Sequence, residues 1–161
     1  MTIDSLLIDW EQDLIGAILV DNECFDLIDL KPHNFLVGCN RLIFSAITEL
    51  LESGKAADII TVSELLEKQG NYENAGGLAY GGGIAANAIG SKRTIKVREK
   101  AIIERYKRRS MGALISTMSS MVEEKKDVSE IAETCQKGMD EIVDNANEET
   151  ILPLSNAVAE A

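Results

Sequence analysis

The chain has 161 residues, 45% hydrophobic and 27% charged with only two prolines, which is the make-up of a folded domain and excludes a disordered tail. No run approaches the ~18–20 apolar residues of a membrane-spanning helix, and the start Met1-Thr2-Ile3-Asp4-Ser5 lacks a signal peptide's basic segment, so a cytoplasmic location is expected. A net charge of −11 argues against general nucleic-acid binding, and three scattered cysteines with one histidine cannot assemble an ordinary zinc site or a disulfide scaffold.

The apolar period is helical almost throughout, giving an all-α fold. Trp10, Leu14, Ala17 and Ile18 share one face of a first helix over Asp9–Val20, whose acidic first turn suits the positive end of the helix dipole. A second, short helix is expected over Asn22–Leu30, stopping at Lys31-Pro32 because a residue before proline avoids the α region. A third, about Asn40 to Ser53, carries an apolar stripe through Leu42, Ile43, Ala46, Ile47, Leu50 and Leu51, with Gly54 as its cap. Thr61-Val62-Ser63-Glu64 fits a capping box and opens a short helix that ends at Gly70.

Gly76-Gly77-Leu78-Ala79-Tyr80-Gly81-Gly82-Gly83 resembles a phosphate-cradling loop only in its glycines. No Lys-Ser or Lys-Thr follows and no β-branched strand precedes, so nucleotide binding is not expected here. Gly81–Gly83 also disfavour a regular helix, since each glycine costs ~1 kcal/mol relative to alanine in a helix interior. Charge then becomes uneven. Residues 1–91 carry 4 basic and 14 acidic side chains, residues 92–109 carry 9 and 2, and residues 110–161 carry 3 and 11. The basic stretch is expected to pair with acidic faces of the same protein or a neighbouring subunit, and to give weak single-stranded DNA binding at most.

From Glu99 onward Ile103, Tyr106, Ser110, Leu114 and Met121 trace one seam near heptad spacing, and Met111, Ile115, Met118 and Val122 trace a second beside it. Glu123-Glu124-Lys125-Lys126 reads as a charged turn, and Asp127-Val128-Ser129-Glu130 as another capping box. A last helix places Val128, Ile131, Cys135, Met139 and Ile142 at spacings of 3, 4, 4 and 3. The whole is expected to be a small orthogonal helical bundle (1–98), an antiparallel helical hairpin (99–146) and a linker start (147–161). One intrachain neighbour does not readily bury both seams. Tyr106, Met111, Leu114, Ile115, Met118, Met121, Ile131, Cys135 and Met139 are therefore the candidate subunit or partner interface, helped by adaptable methionines. No catalytic, cofactor-binding or metal-binding residue is assigned: there is no ExxH pair, and His33 stands in a turn after Pro32.

Several stretches together resemble the amino-terminal domain of DnaB-type bacterial replicative DNA helicases. They are Glu11-Gln12 with Gly16; Asp21-Asn22-Glu23; Phe35; Arg41-Leu42-Ile43-Phe44 with Ala46-Ile47; Asp58 with Thr61-Val62; Gly76-Gly77-Leu78-Ala79-Tyr80; and Val97-Arg98-Glu99-Lys100-Ala101. Each is weak alone, but seven in order cover nearly the whole chain. This sequence departs in the glycines after Tyr80, where the family usually has a leucine and a regular helix, and in a shortened stretch up to Val97. The resemblance implies a parent that forms a ring hexamer, hydrolyses ATP with Mg and moves 5'–3' along single-stranded DNA. It implies a collar of three amino-terminal dimers, paired largely through the hairpins, that receives primase and, in some bacteria, a helicase loader. The family's ATP loop, arginine finger and DNA-contacting loops belong to a motor domain with no matching positions here, so these residues alone are expected to be inactive. Ile151–Ala161 would begin the linker to that domain, and the stop inside a starting helix suggests a longer chain. The competing reading is a free-standing phage or plasmid regulator that mimics the collar and binds host helicase or primase.

Overall fold

A computed structural model describes residues 3–147, with side chains from Trp10 to Asp144. All but the first residue of the expected linker start, 147–161, lies outside the described residues. Among the described residues the regular elements are helices alone, the all-α fold that the periodicity indicates. They are α1 (Ile3–Val20), two 3-10 turns (Asn22–Leu27 and Pro32–Asn34), α2 (Gly38–Glu52), α3 (Ile59–Lys68), α4 (Gly77–Ala86), α5 (Ile95–Glu123) and α6 (Val128–Asn147). The chain divides into two compact units, residues 1–106 and 107–161.

The first unit is the head. Leu14, Ala17 and Ile18 of α1 are buried as their spacing requires, together with Ile43, Phe44, Ala46, Ile47 and Leu50 of α2. Val62 and Leu66 of α3, Ile84 of α4, and Ile95 and Ile102 of α5 complete the core. Phe44 stands at its centre, with ring centroids 4.6 Å from Phe35 and 6.1 Å from Phe25. α1 packs on both α4 and α2, while α3 packs on α2 and α4. The crossing of α1 with α4 is close at Gly16, where a Cβ would stand 2.7 Å from that of Ala88 and 2.8 Å from the carbonyl oxygen of Ile84.

Three local expectations need correction. Asn22–Leu30 is not an α-helix but a 3-10 helix over Asn22–Leu27, because Asn22 turns inward to bridge two loops. Its amide nitrogen donates to the carbonyls of Ile18 and Ala57, 2.8 Å each, and its oxygen accepts from the Ala57 N–H at 3.1 Å. The capping box of α3 begins at Asp58, not Thr61. The Asp58 carboxylate accepts from the backbone N–H groups of Ile60 (2.9 Å) and Thr61 (2.8 Å), and the Thr61 hydroxyl accepts from the Asp58 N–H at 2.9 Å. An ionised carboxylate is the stronger acceptor for the orphan amides, so Thr61 becomes the N3 partner and the helix starts earlier.

Gly81–Gly83, finally, lie within α4 despite their propensity. Packing explains Gly81: it is buried, and a Cβ there would come 2.5 Å from Cδ1 of Ile59. The preceding pair has another role. Gly76 and Gly77 both take positive φ (+88° and +65°), so the chain turns into α4 through backbone that a side chain would strain. The N–H of Gly77 donates to the carbonyl of Tyr72 at 3.0 Å, and the Leu78 N–H to the Tyr72 hydroxyl at the same distance.

Buried polar bonds fix the register of these helices. Glu11 is nearly inaccessible, and its carboxylate accepts from the N–H of Leu36 (2.5 Å), the N–H of Val37 (3.3 Å) and the side-chain amide of Asn40 (2.9 Å). Asn40 accepts from the Tyr80 hydroxyl at 2.8 Å, which in turn accepts from the Gln12 amide at 3.0 Å. Burial lifts the Tyr80 phenol above its ordinary pKa, outweighing the opposing effect of the Gln12 donor. A second buried carboxylate, Glu99 of α5, accepts from the Asp29 N–H at 2.5 Å and pairs with Lys96 at 2.8 Å.

Two predictions follow from these carboxylates. Glu11→Ala strands three donors around a buried site and should cost the head about 3 kcal/mol, read as a lower urea midpoint. A loss below about 1 kcal/mol would mean that water replaces the carboxylate. Asp58→Ala should cost about 1 kcal/mol at neutral pH. The Thr61 backbone amide, more than any other group, holds the Asp58 carboxyl below its ordinary pKa, so its stabilisation is present above the unfolded-state value and lost as pH falls through the folded one. The gap between wild type and Asp58→Ala in thermal melts should therefore close in acid.

Candidate functional site

The second unit holds the rest of α5 together with α6, joined by a tight turn. α5 ends in a left-handed cap. Lys125 has φ +56°, its N–H donates to the carbonyl of Val122 at 3.1 Å, and the Lys126 N–H donates to that of Met121 at 3.0 Å. Asp127 then accepts from the Ser129 N–H at 2.9 Å and starts α6, as its place in the sequence suggests.

The hairpin seam is compact. Leu114 lies over Gly138, where a Cβ would stand 2.6 Å from one Leu114 methyl and 3.0 Å from the other. That antiparallel register sets Met121 opposite Ile131 and Met111 opposite Ile142. Met111, Leu114, Met118 and Met121 are half-buried, as are Ile131, Cys135, Gly138 and Met139, while Ile142 is buried. The facing residues thus alternate steps of three and four on both helices: Met111, Leu114, Met118, Met121 (3, 4, 3) and Ile131, Cys135, Gly138, Ile142 (4, 3, 4). Gly138 was not among the expected interface residues because a glycine interrupts any apolar pattern; its position three after Cys135 and four before Ile142 is the only signal. Tyr106 belongs to the head unit, where its ring stands 5.1 Å from that of His33.

Ile115 differs from the rest, being 60% exposed, and Val122, one heptad later, is 62% exposed. On α6, Val128 and Val143 are 79% and 45% exposed. Geometry gathers these four. In an antiparallel pair the helices run in opposite directions with the same hand, so residues one position beyond the seam turn to the same side on both. Ile115 and Val122 therefore share one broad face of the hairpin with Val128, Met139 and Val143. Met111 and Met118 lie at its border with the seam.

The start of the basic stretch is engaged within the head. Lys92 pairs with Glu23 and, at 3.2 Å, with Asp21; these bonds raise its pKa above the ordinary lysine value, the Glu23 bond most. Arg98 donates to Asp13 at 2.9 Å and lies 5.6 Å over the Trp10 ring. Asp13 also accepts from the N–H groups of Ile89 (2.9 Å) and Gly90 (2.6 Å), closing the loop before α5. Burial pushes the Cys24 thiol above its usual pKa, with Asp21 adding to the effect, so this cysteine is a core residue. Among the described residues no His, Cys, Asp and Glu cluster could hold a metal ion, and no helix is long and apolar enough to cross a membrane.

One change tests the hairpin's turn. Lys125→Gly removes the strain of a left-handed lysine, and should stabilise the hairpin by about 1 kcal/mol. Amide exchange in α5 and α6 should slow accordingly, and unchanged exchange would count against the cap.

Comparison with known proteins places this geometry. Residues 5–104 match the family model described as DnaB-like helicase N terminal domain. The chain is 36% identical over 72 residues to the replicative DNA helicase DnaB of Buchnera aphidicola subsp. Schizaphis graminum, covering 44% of this chain and 16% of that protein. With the DnaB helicase of Rhodothermus marinus it shares 29% identity over 109 residues, 66% of this chain and 12% of the relative. The chain thus spans well under a quarter of these relatives' length. Among solved structures, the N-terminal domain of DnaB helicase from Mycobacterium tuberculosis superposes with a TM-score of 0.76 at 18% identity, covering 84% of this chain and 96% of that one. A DnaB-like replicative helicase, whose structure was described with its interactions with primase, gives 0.68 at 20% identity over 88% of this chain and 35% of that one. At these identities the structural matches establish a shared fold.

Proposed function

The chain belongs to the DnaB-like helicase N-terminal domain family, and from that premise we infer that it is the assembly and partner-docking domain of a replicative DNA helicase. The observation that carries this reading is the apolar face of the hairpin, with Ile115 and Val122 about three-fifths exposed. Apolar surface left in water forgoes roughly 25 cal/mol per Å², a few kcal/mol for several side chains. A second hairpin laid on that face would recover much of it, less the entropy lost on association. Two hairpins joined this way make a four-helix contact, and three such dimers complete a hexameric collar. The methionines at the border of the face suit a surface that also receives another protein.

Primase is the partner that this reading assigns, with a helicase loader as a further one. Support comes from the solved DnaB-like relative described with its primase interactions. ATP hydrolysis with Mg and 5'–3' movement on DNA belong, in this reading, to a motor domain of the longer protein. DNA contact belongs there too, since Lys92, Lys96 and Arg98 are already paired within the head.

Sedimentation equilibrium over a concentration series tests the assembly. The wild type should form dimers or larger species. Ile115→Glu should weaken association at least tenfold while the far-UV helical signal holds, because that side chain is not needed inside the hairpin. Met111→Glu is a poorer probe, because Met111 also serves the seam. A monomeric wild type, or an Ile115→Glu protein that assembles normally, would leave the hairpin as an intrachain strut.

A further inference from the structure

The head carries a second feature, apart from the residues assigned above to assembly. Between α1, α4 and the start of α5 lies a cleft of about 600 Å³, with Trp10 and Tyr80 as its aromatic lining residues. That volume falls within the range of small-molecule sites.

The glycines of α4 bear on its purpose. Gly81 is required by the contact with Ile59, but a Cβ at Gly83 would meet nothing within 4 Å. The fold therefore has no steric need of a glycine at 83, which costs the helix ~1 kcal/mol relative to alanine. Gly83 lines the cleft, and its bare backbone keeps the space open.

The polar groups define the complement. Gln12 spends one of its two amide N–H groups on the Tyr80 hydroxyl, and Asn87 one of its two on the carbonyl of Gly83 at 2.8 Å. Each keeps its side-chain oxygen and its second N–H, among the described residues, as an acceptor–donor pair on the cleft lining, the pair that matches an exocyclic amine beside a ring nitrogen. The two charges of the lining, Asp13 and Arg98, neutralise each other at 2.9 Å. A net charge of −11 further disfavours an anionic guest. Ile89 adds apolar surface at the cleft, 88% exposed.

We propose that this cleft binds a neutral nucleoside whose two-ring base carries an exocyclic amine. The flat base stacks against the aromatic lining, and its N–H donors meet Gln12 Oε1 and Asn87 Oδ1. The open backbone at Gly83 admits the ring edge. All the lining residues belong to the head.

Trp10 is the only tryptophan in the chain, so its indole N–H gives a single side-chain resonance in a nitrogen–proton correlation spectrum. Adenosine titrated into the whole protein should shift that resonance saturably. Purine riboside, which lacks only the amine, should bind at least fivefold more weakly, and so should adenosine 5'-monophosphate because of its charge. Gly83→Leu has room for its Cβ and a better helix former, so it should keep the fold while reducing adenosine affinity at least tenfold. Gly83→Ala should reduce it less. The absence of a saturable shift up to about 10 mM adenosine, the mM end of the affinity scale, would overturn the proposal. So would equal binding of purine riboside or the monophosphate, or undiminished binding by Gly83→Leu with its backbone spectrum intact.

Discussion

The head depends on one buried carboxylate. Glu11 sits on α1, yet its acceptors are used by the chain entering α2: two backbone N–H groups before the helix and the side chain of Asn40 within it. An uncompensated buried charge would cost several kcal/mol, so the segment 35–40 has to lie where its donors reach that group. The positive end of the α2 dipole adds to the match. Asn40, oriented by Glu11, then accepts from Tyr80, and Tyr80 accepts from Gln12 one residue along α1. Three helices are thus tied by a closed polar circuit in which α1 contributes both ends. Apolar packing sets how tightly these helices press together, and the circuit sets how far each slides along its neighbour.

Helical period, the apolar stripes of α1 and α2 and the glycine-marked ends of α2 and α3 were legible without coordinates, because each depends on residues close together in sequence. What escaped depended on distant partners. Asn22 looks like an ordinary helix residue until Ala57 arrives beside it. Gly81 looks like a helix breaker until Ile59 requires its missing side chain. Asp58 displaced Thr61 as a cap because both carry acceptors three residues apart, and only geometry ranks them. Of the stretches that carried the family resemblance, Gln12 meets Tyr80 directly, while Asn22 and Arg98 bond to Ile18, Ala57 and Asp13 outside them. The interface assignment was only partly readable, since one-dimensional spacing separates two seams that in space are the inner and flanking sides of one hairpin.

The two units are built from different materials. The head closes its charges in pairs, with Lys92, Lys96 and Arg98 each matched to a carboxylate. Three of the nine basic residues of 92–109 are thus matched to Asp13, Asp21, Glu23 and Glu99. The hairpin has a thin seam of flexible side chains and keeps part of its apolar area on the outside.

The sulfur content of that seam has a chemical consequence. Met111, Met118 and Met121 of α5 and Met139 of α6 are half-buried, close enough to solvent for oxidants to reach. Conversion of a thioether to its sulfoxide replaces a soft apolar group by a strong, chiral dipole. In the head, where Cys24 is the one buried sulfur among the described residues and no described core residue is a methionine, the same exposure would change little. Oxidative ageing of this protein should therefore first loosen the contact between its two long helices, and excluding peroxide during purification preserves the hairpin before anything else.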